Sequence, residues 1–139
     1  MTELRDVNQA IIEEFRANHG VVGGGFADMR LVLLTTTGAR SGQRRVKPLA
    51  TLPGHDGVLY VFASKAGAPS HPDWYYNLLA HPEVEVEFGD ERFAAVATPL
   101  EGVARDRIYA EQAARVPAFA EYQQKTDRVI PVVELRRAT

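Results

Sequence analysis

RLVLLTTTGARSGQRRVKPLATL, at residues 30–52, carries the strongest structural signal in this 139-residue chain. Arg30–Thr37 is a continuous β-type run that Gly38 ends, and Arg44–Leu52 resumes the strand pattern. Because only a short loop separates the two runs, they are expected to be neighbouring antiparallel strands. The stretch therefore predicts a β-hairpin with a basic tip.

Further elements follow from the two-residue period of strands and the 3.6-residue period of helices. Strands are also expected at Val58–Ser64, Glu83–Phe88, Glu91–Thr98 and Val129–Val133. An amphipathic helix is expected within residues 1–20, a short helix from Pro72 to before Pro82, and helical segments at Val103–Val116 and Ala118–Gln124. A Gly-rich connector at residues 21–29 separates the first helix from the first strand.

The order of these elements decides the fold class. Strands and helices do not alternate as they do in a doubly wound parallel sheet. Six strands joined mostly by tight turns favour an antiparallel sheet curled into a small barrel, with helices packed outside. The prediction is a single α+β domain over residues 1–139. In its acidic hairpin, Glu83, Glu85 and Glu87 alternate with apolar residues and are expected to point outward.

Composition excludes several classes of function. The chain has no cysteine, which removes disulfides, thiolate nucleophiles, zinc–thiolate sites and cysteine-ligated iron–sulfur clusters. A net charge of -2 argues against a nucleic-acid partner. No apolar run is long enough to span a bilayer, and residues 1–6 lack a signal-peptide core. A cytoplasmic location is therefore expected.

Charge is segregated along the chain. Residues 30–65 carry six cationic side chains against Asp56 alone, a net charge of +5. Residues 71–101 carry seven acidic side chains against Arg92 alone, a net charge of -6. A basic block within a mildly acidic protein indicates a local anion site. The expected partner is a small polyanion.

The loop after the first strand is the candidate anion site. Its glycines let backbone N–H groups approach an anion, and its cations suit phosphate or carboxylate oxygens. In an extended strand Arg45 and Lys47 share one face and Arg44 points to the other. Lys65 strengthens the site if its loop lies alongside. The alternative interpretation is a solvated hairpin tip.

Residues 70–77, SHPDWYYN, concentrate aromatic and polar groups where a helix begins. Trp74 and Tyr75 offer flat apolar surface for a conjugated ring, and Asn77 offers a donor and an acceptor for a ring edge. Trp74 is equally well explained as the cap of a small core. The segment is therefore a candidate ring-binding site with a structural alternative.

The sequence shows no reactive machinery of its own. Its four histidines, at 19, 55, 71 and 81, have no metal-ligand spacing, so no metal site is predicted. Ser41, Ser64 and Ser70 lie in no nucleophile motif. An enzyme of this composition needs a bound organic cofactor for the difficult chemical step.

Four segments together resemble the deazaflavin-dependent nitroreductase family. They are LLTTTGARSGQRRVKPL at 33–49, ASK at 63–65, HPDWYYNL at 71–78 and TDRVIP at 126–131. The family consists of actinobacterial oxidoreductases with a split β-barrel, similar to FMN-binding barrels. They use coenzyme F420, an 8-hydroxy-5-deazaflavin that carries a hydride and bears a phosphate and an oligoglutamate tail.

The resemblance implies a position for the cofactor. The residues implied for the tail and phosphate are Arg40, Ser41, Gly42, Gln43, Arg44, Arg45 and Lys65. Those implied for the ring system are Pro48, Ala63, Ser64, Asp73, Trp74, Tyr75 and Asn77.

The same resemblance implies hydride transfer from the reduced cofactor to a small electrophilic acceptor, such as a quinone, a nitroaromatic, or an activated enone or lactone. The implied acceptor residues are Val116, Phe119 and Tyr122. Family members carry aromatic hydroxyls there, and Tyr122 alone keeps one, which argues against nitroimidazole reduction. Ser64 is a candidate hydrogen-bond donor to the acceptor.

Two alternatives stay open at this point. The first is a reductase of the same barrel type that uses FMN, whose single phosphate replaces the long tail. The second is a non-catalytic protein that carries the deazaflavin. Contact of the first helix with a membrane surface is disfavoured because its polar face is not basic.

Overall fold

The computed structural model describes residues 2–23 and 30–138, and for residues 2–6 it describes the backbone alone. Over these residues the chain forms four α-helices: α1 at Thr2–Ala17, α2 at Asp73–Ala80, α3 at Gly102–Arg115 and α4 at Ala118–Gln124. It forms six strands: β1 at Leu31–Thr37, β2 at Arg44–Pro53, β3 at Leu59–Phe62, β4 at Glu83–Phe88, β5 at Glu91–Pro99 and β6 at Val132–Arg137.

The six strands close into one antiparallel barrel. Their order around the barrel is β1-β2-β3-β6-β5-β4, and β4 pairs back onto β1. Each pairing is antiparallel. The predicted α+β barrel with a six-stranded antiparallel sheet and flanking helices is confirmed. Closure leaves few strand edges exposed, which suits a small β-protein.

The barrel interior is filled by one face of each strand and by α2. Val32, Leu34 and Val86 are inaccessible to solvent there. Trp74 and Leu78, which lie one helical turn apart on α2, pack into the same cluster. This burial fixes the buried face of α2 against the end of the barrel.

The opposite faces of the strands are covered by the other helices. Ile11, Ile12 and Phe15 of α1 pack against the outer residues of β1, with Phe15 only 1% exposed. Helices α3 and α4 pack against β3 and β6 around Phe62. Burying one large apolar side chain contributes about 1.5–3 kcal/mol, so each helix is held mainly by its apolar stripe.

The last strand begins later than expected. Residues 129–133 were predicted as this strand, but β6 starts at Val132 and runs into polar residues up to Arg137. The backbone of Ile130 is bonded to side chains instead: its N–H donates to Gln123 at 3.0 Å and its carbonyl accepts from Arg105 at 2.9 Å. Pro131 has no N–H to donate. The strand pairing of β6 therefore begins only after the residues whose backbone is bonded to side chains or lacks an N–H.

The acidic hairpin differs from the expectation of solvent-facing glutamates. Glu87 lies on the outer face of the barrel, but α1 covers it and leaves it 8% exposed. Arg16 donates to both of its carboxylate oxygens, at 3.0 and 2.8 Å. The bonds from Arg16 hold the pKa of Glu87 below its ordinary value. The alternation of glutamate and apolar residues predicted the direction of the Glu87 side chain correctly. It did not predict that α1 covers this side chain.

Helix α1 ends at Ala17, three residues before the predicted limit, and Asn18–Gly20 form a turn. A side chain at Gly20 would collide with the backbone of Gly89, so this turn packs tightly on the β4–β5 hairpin. Of the predicted connector, residues 24–29 lie outside the described residues. None of the described helices combines the length and apolarity needed to cross a membrane.

Candidate functional site

A cleft opens where β2 loses one of its two neighbours. β2 pairs with β1 from Arg44 to Ala50, but it pairs with β3 only through Thr51–Pro53. β3 ends at Phe62, and the chain turns away at Lys65–Gly67. The first half of β2 therefore faces residues 63–77 across an open space rather than across a hydrogen-bonded ladder.

One side of this cleft is a space of about 780 Å³, which we call the basic groove. Its walls are the loop after β1, the inward face of β2 and the exposed face of α2. The lining residues are Gly38, Ala39, Arg40, Ser41, Arg45, Lys47, Asp73, Trp74, Tyr76 and Asn77.

The loop after β1 is shaped by its own hydrogen bonds. Gly38 donates its N–H to the carbonyl of Gln43 at 2.8 Å, and Gly42 donates to the carbonyl of Gly38 at 3.0 Å. Gly42 has φ +73°, a conformation that glycine adopts without strain. Any side chain at Gly38 would collide with the Ser41 hydroxyl. The result is a compact turn at one end of the groove.

Asn77 ties this turn to α2. Its carbonyl oxygen accepts from the Ala39 N–H at 3.0 Å, and its amide nitrogen donates to the Thr36 hydroxyl at 3.2 Å. The resemblance placed Asn77 beside a cofactor ring. The residue does line the basic groove, but the structure gives both ends of its amide a partner within the protein.

The strand period sets which cations face the groove. Arg45 and Lys47 both line it, and Arg44 does not, as the alternation along β2 predicts. Arg45 donates one hydrogen bond to Gln43 at 3.1 Å. Among the described residues, no carboxylate lies within ion-pair distance of Arg40, Arg45 or Lys47. Three cations therefore face the groove with their charge uncompensated by a salt bridge.

The other side of the cleft is a smaller space of about 280 Å³, which we call the apolar cavity. It lies between α1, the outward face of β2, and α4. The lining residues are Asn8, Ile11, Leu31, Pro48, Leu49, Ala50, Phe62, Ser64, Lys65, Ala66, Pro72, Trp74, Phe119 and Tyr122. Trp74 lines both spaces, so the groove and the cavity adjoin at this residue.

Lys65 lies at the apolar cavity rather than in the basic groove. Its ammonium donates to the Ser70 hydroxyl at 3.3 Å. Lys65 and the next residue, Ala66, both have positive φ, at 47° and 53°. The turn that carries Lys65 is therefore locally strained.

Two of the three predicted acceptor residues line the apolar cavity. Phe119 packs edge-on against Phe62 and Tyr122, with ring centroids 5.6 and 5.2 Å apart. Its carbonyl accepts from the Tyr109 hydroxyl at 2.5 Å, and burial raises the pKa of Tyr109 to about 12. Val116 does not line the cavity and packs against the cluster beneath α3 and α4.

The other predicted site residues fall outside both spaces. Gly42, Gln43 and Arg44 lie at or just after the tip of the turn. Ala63 is fully buried in the barrel core. The ring of Tyr75 packs against that of His71, with centroids 4.9 Å apart and planes tilted by 52°, instead of lining the groove. Conversely, the sequence analysis did not single out Asn8, which stands in no motif, or Tyr76, although Tyr76 lies within the 70–77 segment.

Comparisons with known proteins agree with this architecture. A model of the family described as F420H(2)-dependent quinone reductase matches residues 8–136, a range that contains every residue lining the groove and the cavity. An F420H(2)-dependent quinone reductase of Mycobacterium tuberculosis is 40% identical over 111 residues, covering 76% of this chain and 72% of that protein.

Two solved structures are also similar. The F420-H2 dependent reductase FDR-A is 43% identical, with a TM-score of 0.70 over 76% of this chain and 93% of its own. A structure described as a domain-swapped dimer is 38% identical, with a TM-score of 0.72 over 97% of this chain and 98% of its own.

Proposed function

Because this chain belongs to the F420H2-dependent quinone reductase family, we propose that it reduces a quinone-type acceptor in the cleft beside β2. It is an oxidoreductase, and its cofactor is coenzyme F420. The observation that carries the proposal is the junction of two unlike spaces at Trp74. A groove with uncompensated cations adjoins a cavity with aromatic and aliphatic walls.

The donors in the basic groove fit the anionic part of this cofactor. A phosphate and several carboxylates need guanidinium, ammonium and hydroxyl donors, which Arg40, Ser41, Arg45 and Lys47 supply. Charge-assisted hydrogen bonds to anions contribute about 1.5–3 kcal/mol each. We assign the anionic tail to this groove. Gly42, Gln43 and Arg44 do not line the groove, and we expect only the far end of the tail to reach them.

The apolar cavity suits a flat conjugated ring. Pro48 and Trp74 supply apolar surface, while Ser64 and Lys65 supply donors at the rim. The cavity volume of about 280 Å³ is near the lower limit of small-molecule pockets. We propose that the ring and the acceptor share this cavity and the adjoining part of the groove around Trp74.

The chemistry divides between the cofactor and the chain. Reduced F420, when bound, supplies a hydride from C5 of its deazaflavin. The chain's residues hold the acceptor close to the cofactor and exclude water. The apolar side chains of Ile11, Phe62 and Phe119 in the cavity wall would exclude it. Ser64 and Tyr122 line the cavity. We propose that their hydroxyls donate hydrogen bonds to an acceptor oxygen as negative charge develops on it.

The range of acceptors follows from these donors. Quinones, activated enones and lactones each present a carbonyl oxygen that Ser64 or Tyr122 can reach. A nitroaromatic presents two oxygens, and Phe119 offers no hydroxyl for the second. We therefore expect quinones to be reduced faster than nitroaromatics. A cytoplasmic location and the absence of a nucleic-acid partner stay predictions.

Turnover of reduced F420 tests the proposal. The purified protein is mixed with reduced F420 and menadione, a coumarin-type lactone or a nitroaromatic, and cofactor oxidation is followed by absorbance. Oxidation that depends on both enzyme and menadione supports the proposal. Tight binding of F420 without oxidation by any acceptor would favour a carrier. A parallel titration with FMN is expected to show weaker binding, because one phosphate engages fewer of the groove's cations.

A further inference from the structure

Arg128 lies behind the apolar cavity and binds the loop that forms its rim. Its Nε donates to the Ala68 carbonyl at 2.8 Å, and its Nη2 donates to the Ser64 carbonyl at 2.8 Å. Its Nη1 donates to the Ala63 carbonyl at 3.1 Å and to Nδ1 of His71 at 2.8 Å. One guanidinium therefore holds four acceptors spread over residues 63–71.

This loop would not keep its shape unaided. Lys65 and Ala66 occupy the left-handed region at φ 47° and 53°, where residues other than glycine are strained. Such conformations persist when surrounding contacts over-determine them. Gly67 supplies one such contact, because a side chain there would collide with the Tyr122 carbonyl. Arg128 supplies a further restraint through its bonds to the carbonyls of Ser64 and Ala68.

The bonds of Arg128 are not those of an ion pair. Among the described residues no carboxylate lies within ion-pair distance of it, and three of its four acceptors are backbone carbonyls. Burial lowers the pKa of this guanidinium, which marks a charge partly removed from water. Only arginine presents a planar fork of donors that can reach all four acceptors at once.

We propose that Arg128 is a positioning residue for the reaction: by holding the backbone of Ser64 and its neighbours, it places the Ser64 hydroxyl and the Lys65 ammonium at the cavity. This inference rests on the proposed function of the cavity. It adds that the affinity for cofactor and acceptor depends on a residue that lines neither space.

His71 gives the arrangement a pH signature. It accepts the Arg128 bond at Nδ1, so it is neutral, and burial together with the Arg128 charge lowers its pKa. Among the described residues, the groups that face it are Arg128 and the rings of Tyr75 and Tyr76. Protonation of His71 at Nδ1 removes the acceptor of this hydrogen bond and leaves two positive charges, on His71 and Arg128, in contact. Their repulsion should loosen the loop at residues 63–71 at acid pH.

The test compares Arg128→Lys with a matched control. Arg105→Lys removes the fork of another buried guanidinium, which donates to Ile130 and Gln123 and lines neither space. Both variants are measured for Tm, for F420 affinity and for kcat and KM with menadione. We expect Arg128→Lys to lower kcat/KM by about 10- to 100-fold, the scale of a misplacement near 1 Å. Arg105→Lys is expected to lower Tm with less than about a twofold change in kcat/KM.

A milder pair guards against a variant that fails to fold. His71→Asn keeps an acceptor near the Nδ1 position, and His71→Leu removes it. We expect His71→Asn to retain near wild-type affinity. It should also abolish the weakening of F420 binding that we expect of wild type as the pH falls below the lowered pKa of His71. His71→Leu is expected to weaken binding at every pH.

The outcomes separate this inference from the proposed function. If wild type does not oxidise reduced F420 with menadione, the proposed function fails first. If wild type turns over and folded Arg128→Lys matches it in affinity and kcat/KM, the positioning role is wrong and the function stands.

Discussion

The two halves of β2 have different neighbours and different chemistry. Thr51–Pro53 pair with β3, and Thr51 also donates its N–H to the carbonyl of Arg30, just before β1, at 2.9 Å. Thr51 and Leu52 are buried. Arg44–Ala50 pair with β1 alone and carry three cationic side chains. The same strand is therefore part of the core at one end and part of the candidate site at the other.

This difference shows how a small barrel makes room for a ligand. A strand inside a closed sheet has both backbone edges bonded and both faces packed. β3 ends at Phe62, so the first half of β2 has no hydrogen bonds to β3. The two faces of this half open onto two different spaces. Arg45 and Lys47 face the basic groove, while Pro48 and Ala50 face the apolar cavity. The alternation of one strand thus supplies unlike walls for a polar tail and an apolar ring.

The largest effect is expected at the paired end of β2. Leu52→Ala removes a side chain that is 4% exposed and packs beneath α3 and α4. The free energy of unfolding should fall by about 2–5 kcal/mol, from lost burial and a new cavity. Urea denaturation measures this loss, and F420 affinity of the folded variant should change less than about twofold. A large loss of affinity at unchanged stability would contradict the division of β2.

At the open end of β2 we expect the reverse: a loss of cofactor affinity with little change in stability. Arg45→Glu should weaken F420 binding by about 10- to 100-fold, since a charge-assisted bond contributes about 1.5–3 kcal/mol. Its free energy of unfolding should change by less than about 0.5 kcal/mol, as for most surface sites. The matched control is Arg44→Glu, the same change on the other face of the strand. Equal losses in the two variants would show that only net charge matters.

The smallest effect concerns the helix that covers the outer face of β1. Glu87→Gln removes the carboxylate that accepts from Arg16 and should cost less than about 1 kcal/mol, because solvent screens the half-exposed arginine. Since folding lowers the pKa of Glu87, the ion pair stabilises the protein above about pH 4.5 and is lost as pH falls through the lower, folded value.

Thermal unfolding between pH 3 and 7 checks this linkage. Wild type should lose stability toward acid more steeply than Glu87→Gln, and the two curves should converge at the lowest pH. The basic groove should be unaffected, so F420 affinity at neutral pH serves as the control measurement. Parallel curves for the two proteins would mean that the ion pair contributes nothing.

Local periodicity accounts for the part of the site that could be predicted from the residues alone. The two-residue period of a strand places Arg45 with Lys47 and opposite Arg44, and the structure agrees. The same period gave the outward direction of Glu87. Its burial could not be predicted, because the Arg16 that covers it is 71 residues away in the chain.

Other features of the fold depend on contacts that no local pattern encodes. The start of β6 is set by side chains from α3 and α4 that bond the backbone of Ile130, so an apolar run was mistaken for the strand. Asn77 was predicted from its chemistry to bind a ring edge, yet its amide holds the turn at Ala39. A polar side chain near a binding site can hold the protein's own backbone in place just as well as it can bind a ligand.

The most direct test uses the single tryptophan of the chain, Trp74, which lines both spaces. Its fluorescence is titrated with F420 at low and high salt in wild type, Arg45→Glu and Arg44→Glu. We predict quenching on binding, with a midpoint that rises with salt in wild type and is shifted strongly by Arg45→Glu and little by Arg44→Glu. Saturable binding that leaves Trp74 fluorescence unchanged, or a midpoint indifferent to Arg45, would contradict this prediction.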